Sequence, residues 1–207
     1  MNLDPLRSIR LRTPRLELRL ASERELVELF RVAEGGIHPP EEMPFYVPWT
    51  DSLDLDSFLA FHRSTWAEWS PAKWTLNLIT FLDSRPIGSQ DIGAKDFATK
   101  RMVETGSWLG TPFQGRGLGT EQRAAVLDLA FSGLGASTAV SGSFVHNVKS
   151  QRVSEKLGYR RTGTRTLESR GEPVEHYDYR LERPDWSSSI EVEIRGLGPA
   201  LSLFGAA

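Results

Sequence analysis

The 207-residue sequence has no cysteine, which excludes disulfides, thiolate metal sites and a cysteine acyl-enzyme. It also has almost no excess charge: 25 basic residues face 27 acidic ones, a formal net charge of −2. A protein that grips nucleic acid needs a basic face to displace counterions, and this balance argues against one. Long apolar runs are missing too. The longest stretch free of formal charge, Leu129 to Val148, carries Gly133, Gly135, Gly142 and four serines, too polar for a membrane span. The first twenty residues hold no apolar signal core and no small-residue cleavage site. A soluble, cytoplasmic protein is expected. The four histidines, His38, His62, His146 and His176, show no metal-ligand spacing, and neither His-Glu-x-x-His nor Gly-x-Ser-x-Gly occurs; no metal is expected.

What is present suits one globular domain, with 39% apolar and 25% charged residues. Leu16, Leu18 and Leu20 alternate with Glu17 and Arg19, the period of a half-buried strand. The surrounding cluster Arg7, Arg10, Arg12, Arg15 and Arg19 reads as that strand's solvated face rather than a phosphate-binding arm. Ser22 and Glu25 form a capping-box pattern ahead of the stripe Leu26, Leu29, Phe30 and Ala33, and Gly35-Gly36 ends the helix. Residues 38–56 are proline-rich and acidic, with Glu41, Glu42, Asp51, Asp54 and Asp56 and no Lys or Arg. A second helix is expected from Ser57 to Ser70, with Phe58, Phe61, Trp66 and Trp69 inward. Strands follow at Trp74–Leu82, Ile87–Phe97 and Gly106–Leu109, then a helix from Thr120 to about Phe131. Later come a strand at Ala139–Val145, a short helix capped by Asn147, a strand at Tyr159–Thr164 and a last core strand in which Tyr177, Tyr179 and Leu181 alternate. Beyond Pro184 a tail with a short strand, Ile190 to Ile194, is expected as an extension over 186–207, a candidate contact across a homodimer or higher oligomer.

The informative segment is Gln114-Gly115-Arg116-Gly117-Leu118-Gly119-Thr120, between a strand and a helix. Its glycines let the backbone approach a bulky anion, and the amides opening the helix point at it with the positive dipole end behind them. Two phosphate loops fail the test. A P-loop requires Lys then Ser/Thr after its second glycine, and Gly115 is followed by Arg116-Gly117. A dinucleotide fingerprint lacks its third glycine in either frame, meeting Thr120 or Gln122 instead.

The remaining pattern, Gln/Arg-x-x-Gly-x-Gly/Ala, resembles the pyrophosphate motif of the GNAT superfamily of acyl-CoA N-acyltransferases. Leu11-Arg-Thr-Pro-Arg-Leu16, Glu104-Thr-Gly-Ser-Trp-Leu109 and the Asn147-x-x-Ser150-x-x-Val153-x-x-Lys156-Leu157-Gly158-Tyr159 motif resemble its RimJ/RimL branch, in order, over about residues 10–182. Met43-Pro-Phe-Tyr-Val-Pro-Trp-Thr50 and Gly106-Ser-Trp-Leu-Gly-Thr111 are similar to a subgroup that includes succinyl-CoA-dependent members. The resemblance implies a mixed α/β fold, a central twisted mixed sheet of about seven strands flanked by about four helices, with the GNAT domain over 1–185.

It also implies acetyl-CoA or succinyl-CoA as acyl donor and a primary amine as acceptor: a protein N-terminus, a lysine or a small amine. Backbone groups of Ser107, Trp108 and Leu109 would pair with the pantetheine arm. Amides from Gln114, Gly115, Arg116, Gly117, Leu118, Gly119 and Thr120 would hold the pyrophosphate, and Asn147 and Ser150 would contact the pantetheine. The ring of Trp108 is equally readable as core. Glu104 is the implied base and, by the same family motif, Ser150 the implied acid; the position seven residues after Asn147, often a tyrosine donor in the family, is Ser154, which makes that donor unavailable. Direct attack of the amine on the thioester requires no covalent enzyme intermediate, in keeping with the absent cysteine. The loop suits equally a GNAT-like module that binds acyl-CoA without turnover. The acidic 38–56 segment, without counter-charge, reads either as a solvated loop that caps the next helix or as a surface that draws a cationic amine.

Overall fold

The computed structural model describes residues 1–206. Nine strands form one mixed sheet. They are β1 (Arg10–Arg12), β2 (Leu16–Arg19), β3 (Lys73–Leu82), β4 (Arg85–Lys95), β5 (Met102–Leu109), β6 (Thr138–Phe144), β7 (Arg160–Ser169), β8 (Glu172–Glu182) and β9 (Glu193–Arg195). Five α-helices accompany them: α1 (Glu23–Glu34), α2 (Leu55–Ala67), the single turn α3 (Phe97–Lys100), α4 (Leu118–Asp128) and α5 (Val148–Lys156). The strand order is β7-β8-β6-β5-β4-β3-β2-β1-β9. All neighbours are antiparallel except β5 and β6. This is the expected mixed α/β class, with more strands than the seven anticipated.

Local chemistry explains the element ends. The capping box at α1 is complete: Ser22 Oγ accepts the Glu25 amide and Glu25 Oε2 accepts the Ser22 amide at 2.8 Å. Asp54 caps α2 by accepting the Ser57 amide at 2.8 Å. Asp83 and Ser84, with φ of 49° and 63°, make the tight reversal between β3 and β4. The helix of the glycine-rich segment starts earlier than expected, at Leu118, and after Asp128 continues as a π turn to Gly133.

Two layers of helices sandwich the sheet. Leu76 and Leu78 of β3 pack with Leu118, Ala125 and Val126 of α4 in the main core, whereas Ile79 and Phe81 pack with Leu26, Leu29 and Phe30 of α1 and Phe58 of α2. One inward assignment on α2 is corrected. Phe61 is 56% exposed and His62 is buried instead, because Asn77 of β3 supplies a polar neighbour 3.4 Å from its Nδ1.

The tail joins this same body. Its strand is Glu193–Arg195 rather than Ile190–Ile194, and it pairs with β1 at the sheet edge. Phe204 is fully buried, with its ring 4.8 Å from that of Trp74. The Trp74 indole donates to the Phe204 carbonyl at 3.1 Å, and that of Trp69 to the Leu203 carbonyl at 3.0 Å. Among the described residues no helix is long and apolar enough to cross a membrane, and no cluster of His, Asp and Glu could hold a metal ion.

Candidate active site

The parallel ladder of β5 and β6 is short. Its register runs from Met102↔Thr138 to Glu104↔Val140 and stops. Beyond it both strands continue, to Leu109 and Phe144, without pairing to each other. At the fork the Ser141 hydroxyl donates to the Thr105 carbonyl at 3.2 Å, bridging the first gap. Past that point alternate backbone groups of Ser107 to Leu109 have no strand partner on the β6 side. Such an edge invites an extended ligand to pair as a strand would.

The upper end of this opening meets the start of α4. Gly115 and Gly117 have φ of +71° and +78°, a conformation that costs a side-chain-bearing residue strain. Gly117 occupies the N-cap with no side chain to satisfy the first-turn amides, so Leu118, Gly119 and Thr120 present free N–H groups. Side chains brace the loop from outside. Gln114 Nε2 donates to the carbonyls of Ile37 at 2.6 Å and Leu109 at 2.8 Å. Glu121, buried in the first turn of α4, accepts from Thr13 Oγ1, the Arg15 amide and Arg15 Nε at 2.6, 3.0 and 2.6 Å. Arg15 also donates to the Arg116 carbonyl at 3.0 Å. Within the basic cluster, Arg15 is therefore a brace on the loop rather than merely part of a solvated face.

Opening and loop belong to one cleft of about 1420 Å³, lined among others by Glu104, Ser107, Trp108, Leu109, Asn147 and Ser150. Gln114, Gly115, Gly117, Gly119 and Thr120 line it too, whereas Arg116 and Leu118 do not. Leu118 is 1% exposed, its side chain in the core; Arg116 points to solvent. The buried Leu118 side chain is thus withdrawn from a ligand, leaving its backbone. Asn147 Oδ1 caps α5 by accepting the Ser150 amide at 3.1 Å, which leaves its N–H groups for a ligand. The Trp108 ring packs 5.7 Å from that of Trp49, in an aromatic wall with Phe45 and Phe58.

Sequence reasoning passed over several residues here. Arg123 of α4 is 4% exposed, yet donates only to Ser154 Oγ at 3.0 Å and Ser107 Oγ at 3.1 Å, with Nε unpartnered. Its burial pulls the guanidinium pKa down. It fills the space beside Ser154, where the resemblance leads one to look for a tyrosine. Asp91 of β4 accepts the Gly106 amide at 2.8 Å; burial, reinforced by the nearby charge of Glu104, pushes its carboxyl up to about 6. His176 and Asp178 of β8 also line the cleft. His146, in contrast, has its Nε2 2.9 Å from the Met43 carbonyl.

The acidic segment is not without counter-charge, contrary to expectation. Arg170, in the turn between β7 and β8, clasps Asp51 and donates to the Pro40 carbonyl at 3.0 Å. This pairing holds the Asp51 carboxyl below its usual range. The segment is thereby tied across the cleft mouth, and Asp51 serves as an anchor, leaving Glu41 and Glu42 exposed.

The acetyltransferase (GNAT) domain family matches residues 15–160. A RimJ from Mycobacterium smegmatis, solved with a CoA disulfide, superposes with a TM-score of 0.69 at 19% identity, covering 86% of this chain and 88% of that one. A RimL, a ribosomal L7/L12 α-N-protein acetyltransferase solved with coenzyme A, gives 0.70 at 15% identity over 82% and 95%. A GNAT-family acetyltransferase from Bacillus anthracis gives 0.67 at 17% identity over 84% and 99%.

Proposed function

Because the chain belongs to the GNAT acetyltransferase family, we propose that it transfers an acyl group from acetyl-CoA or succinyl-CoA to a primary amine. The observation that carries this reading is the meeting, in one cleft, of the unpaired β5 edge with the uncapped start of α4. An edge that pairs with an extended amide-bearing arm, ending at amides that take a pyrophosphate, suits coenzyme A along its length. RimJ and RimL structures that carry CoA or its disulfide support the same donor.

Each residue then has a task. Ser107, Trp108 and Leu109 offer backbone groups to the pantetheine, and Gln114 to Thr120 hold the pyrophosphate. Asn147 and Ser150 complete the pantetheine wall. Glu104, exposed in the cleft on the opposite side of the fork from α4, is the candidate for drawing a proton from an entering amine, directly or through water. Ser150 is the candidate donor to the departing sulfur. Holding amine and thioester together supplies much of the acceleration. A protein N-terminus is the favoured acceptor, in line with the α-N-protein specificity named for RimL; a lysine or a small amine is the alternative. A soluble cytoplasmic setting suits the cysteine-free chain.

The test is thiol release from acetyl-CoA and succinyl-CoA against N-terminal peptides, a lysine peptide and a small polyamine. Turnover that falls at least tenfold in Glu104→Gln, with CoA still bound, supports the transferase. Binding without turnover of any amine identifies a non-catalytic acyl-CoA module instead.

A further inference from the structure

The register of the sheet gathers one further set of chemical groups on the face that carries Glu104. Glu104 lies opposite Val140, Gly142 opposite Asp178, and Phe144 opposite His176, so these side chains share one side of β5, β6 and β8. Arg165 of β7 is opposite His176 on that same side. The imidazole reaches inward across β6, over a glycine. A Cβ built on Gly142 would meet His176 Cε1 at 2.2 Å and Nε2 at 2.6 Å, so only glycine leaves the ring its place. Its other nitrogen, Nδ1, is buried 3.3 Å from Asp178 Oδ1, close but not aligned as a hydrogen bond. Phe144 supports the ring edge-on at 5.5 Å.

We propose that His176, positioned by Asp178, is the catalytic residue that takes the proton from the acceptor amine in place of Glu104, which on this same face serves by attracting the ammonium. This assignment rests on the transferase reading above. An imidazole in a cleft with a carboxylate behind it is the arrangement of an oriented general base. The other three histidines are engaged elsewhere: His38 contacts Thr50, His62 lies against Asn77 and His146 contacts Met43. Burial and the Arg165 guanidinium hold the His176 pKa below its usual value, against the pull of Asp178 and Glu104. That direction favours the neutral, proton-accepting ring. Farther along this face lie Arg180, opposite Val140, and Glu182, opposite Thr138, paired with each other.

The step balances simply. The ammonium passes one proton to His176, and its nitrogen then forms the C–N bond to the thioester carbonyl carbon. The C–S bond breaks, the sulfur leaves with the electron pair, and the second amine proton ends on the sulfur. His176 returns its proton to water.

The experiment is the pH profile of kcat/KM with the saturating acyl donor that the native protein turns over. Acyl-CoA affinity by titration calorimetry and far-UV circular dichroism serve as controls. His176→Gln is expected to lose about 100-fold or more in kcat/KM, to bind the donor as before, and to lose the acid limb of the profile. Added imidazole should restore part of the rate of His176→Ala. Asp178→Asn should move the limb to lower pH, because it removes a group that raises the His176 pKa; Arg165→Met should move it to higher pH. An acid limb retained in His176→Gln, or a loss of under threefold, overturns the proposal. A native protein that turns over no amine sinks the transferase reading and this proposal together. A near-native rate in His176→Gln sinks only the proposal.

Discussion

Replacing either partner of the Arg15–Glu121 pair should destabilise the protein unequally, and the inequality follows from burial. The Glu121 side chain is 7% exposed and that of Arg15 is 46% exposed. In Glu121→Gln the shape survives and the guanidinium turns to water, so the loss is that of charge-assisted hydrogen bonds, about 1.5 to 3 kcal/mol. In Arg15→Met the carboxylate stays buried with only the Thr13 hydroxyl and one backbone amide left to it. Stranding one charge of a buried pair costs about 3 to 5 kcal/mol, and screening at the half-exposed guanidinium puts this case near the lower end. Arg15→Met should therefore be the worse variant by about 1 kcal/mol. With a urea slope of about 2 kcal/mol/M, that separates the two midpoints by about 0.5 M at pH 7. Both variants should also weaken acyl-CoA binding, since the same contacts brace the glycine loop. Equal losses, or a larger loss in Glu121→Gln, would refute the argument that the buried carboxylate sets the cost.

Other expectations follow from single sites. Asp51→Lys should raise the acceptor KM by unfastening the segment from Arg170, and the charge-swapped pair Asp51→Arg with Arg170→Asp should restore it; a double variant no better than the single would discount the clasp. Charge reversal of Glu41 and Glu42 tests electrostatic attraction of the amine separately, and an unchanged acceptor KM would end that idea. Burial drives the His62 pKa down to about 4, so the unfolded chain binds a proton there more readily than the folded one. Its contribution erodes as pH falls from about 6.5 towards 4. Between pH 7 and pH 5 the native protein should lose about 2 kcal/mol relative to His62→Gln in parallel urea melts; parallel curves would show that His62 is not held neutral. Gly88→Ala places a Cβ 2.2 Å from the Trp108 carbonyl, a backbone atom that cannot swing aside, so thermal scanning should show a loss of several degrees.

What the sequence made readable was local. The capping box of Ser22 and Glu25, the Asn147 cap and the glycine-rich turn into α4 depend on residues within a few positions of one another, and they appear where expected. The alternation of Tyr177, Tyr179 and Leu181 was readable too, and it implied that His176 and Asp178 share the opposite face. Which neighbours that face meets depends on the pairing of β8 with β6, a long-range fact. The same holds for Arg170, 119 residues from Asp51, and for His62, whose polar neighbour Asn77 lies on β3. Arg123 sits in a helical stretch where a basic residue ordinarily means solvent. Only the packing of α4 against β5 and α5 places it in the cleft. The change of composition after Pro184 reads as an extension with a short strand; that its aromatic end closes the core around Trp74 is again a long-range fact.

The central claim is that the fork between β5 and β6, with the start of α4, holds an acyl-CoA. The most direct measurement is calorimetric titration of acetyl-CoA and succinyl-CoA, side by side, into the native protein and into Gly119→Pro. Proline in the first helical turn removes one ligand-facing N–H without removing an intrahelical bond. The account predicts saturable binding of at least one donor to the native protein. It also predicts at least tenfold weaker binding to the variant, with an unchanged circular dichroism spectrum. No heat with either donor, confirmed by equilibrium dialysis, would mean that the loop is only a turn and would contradict the account.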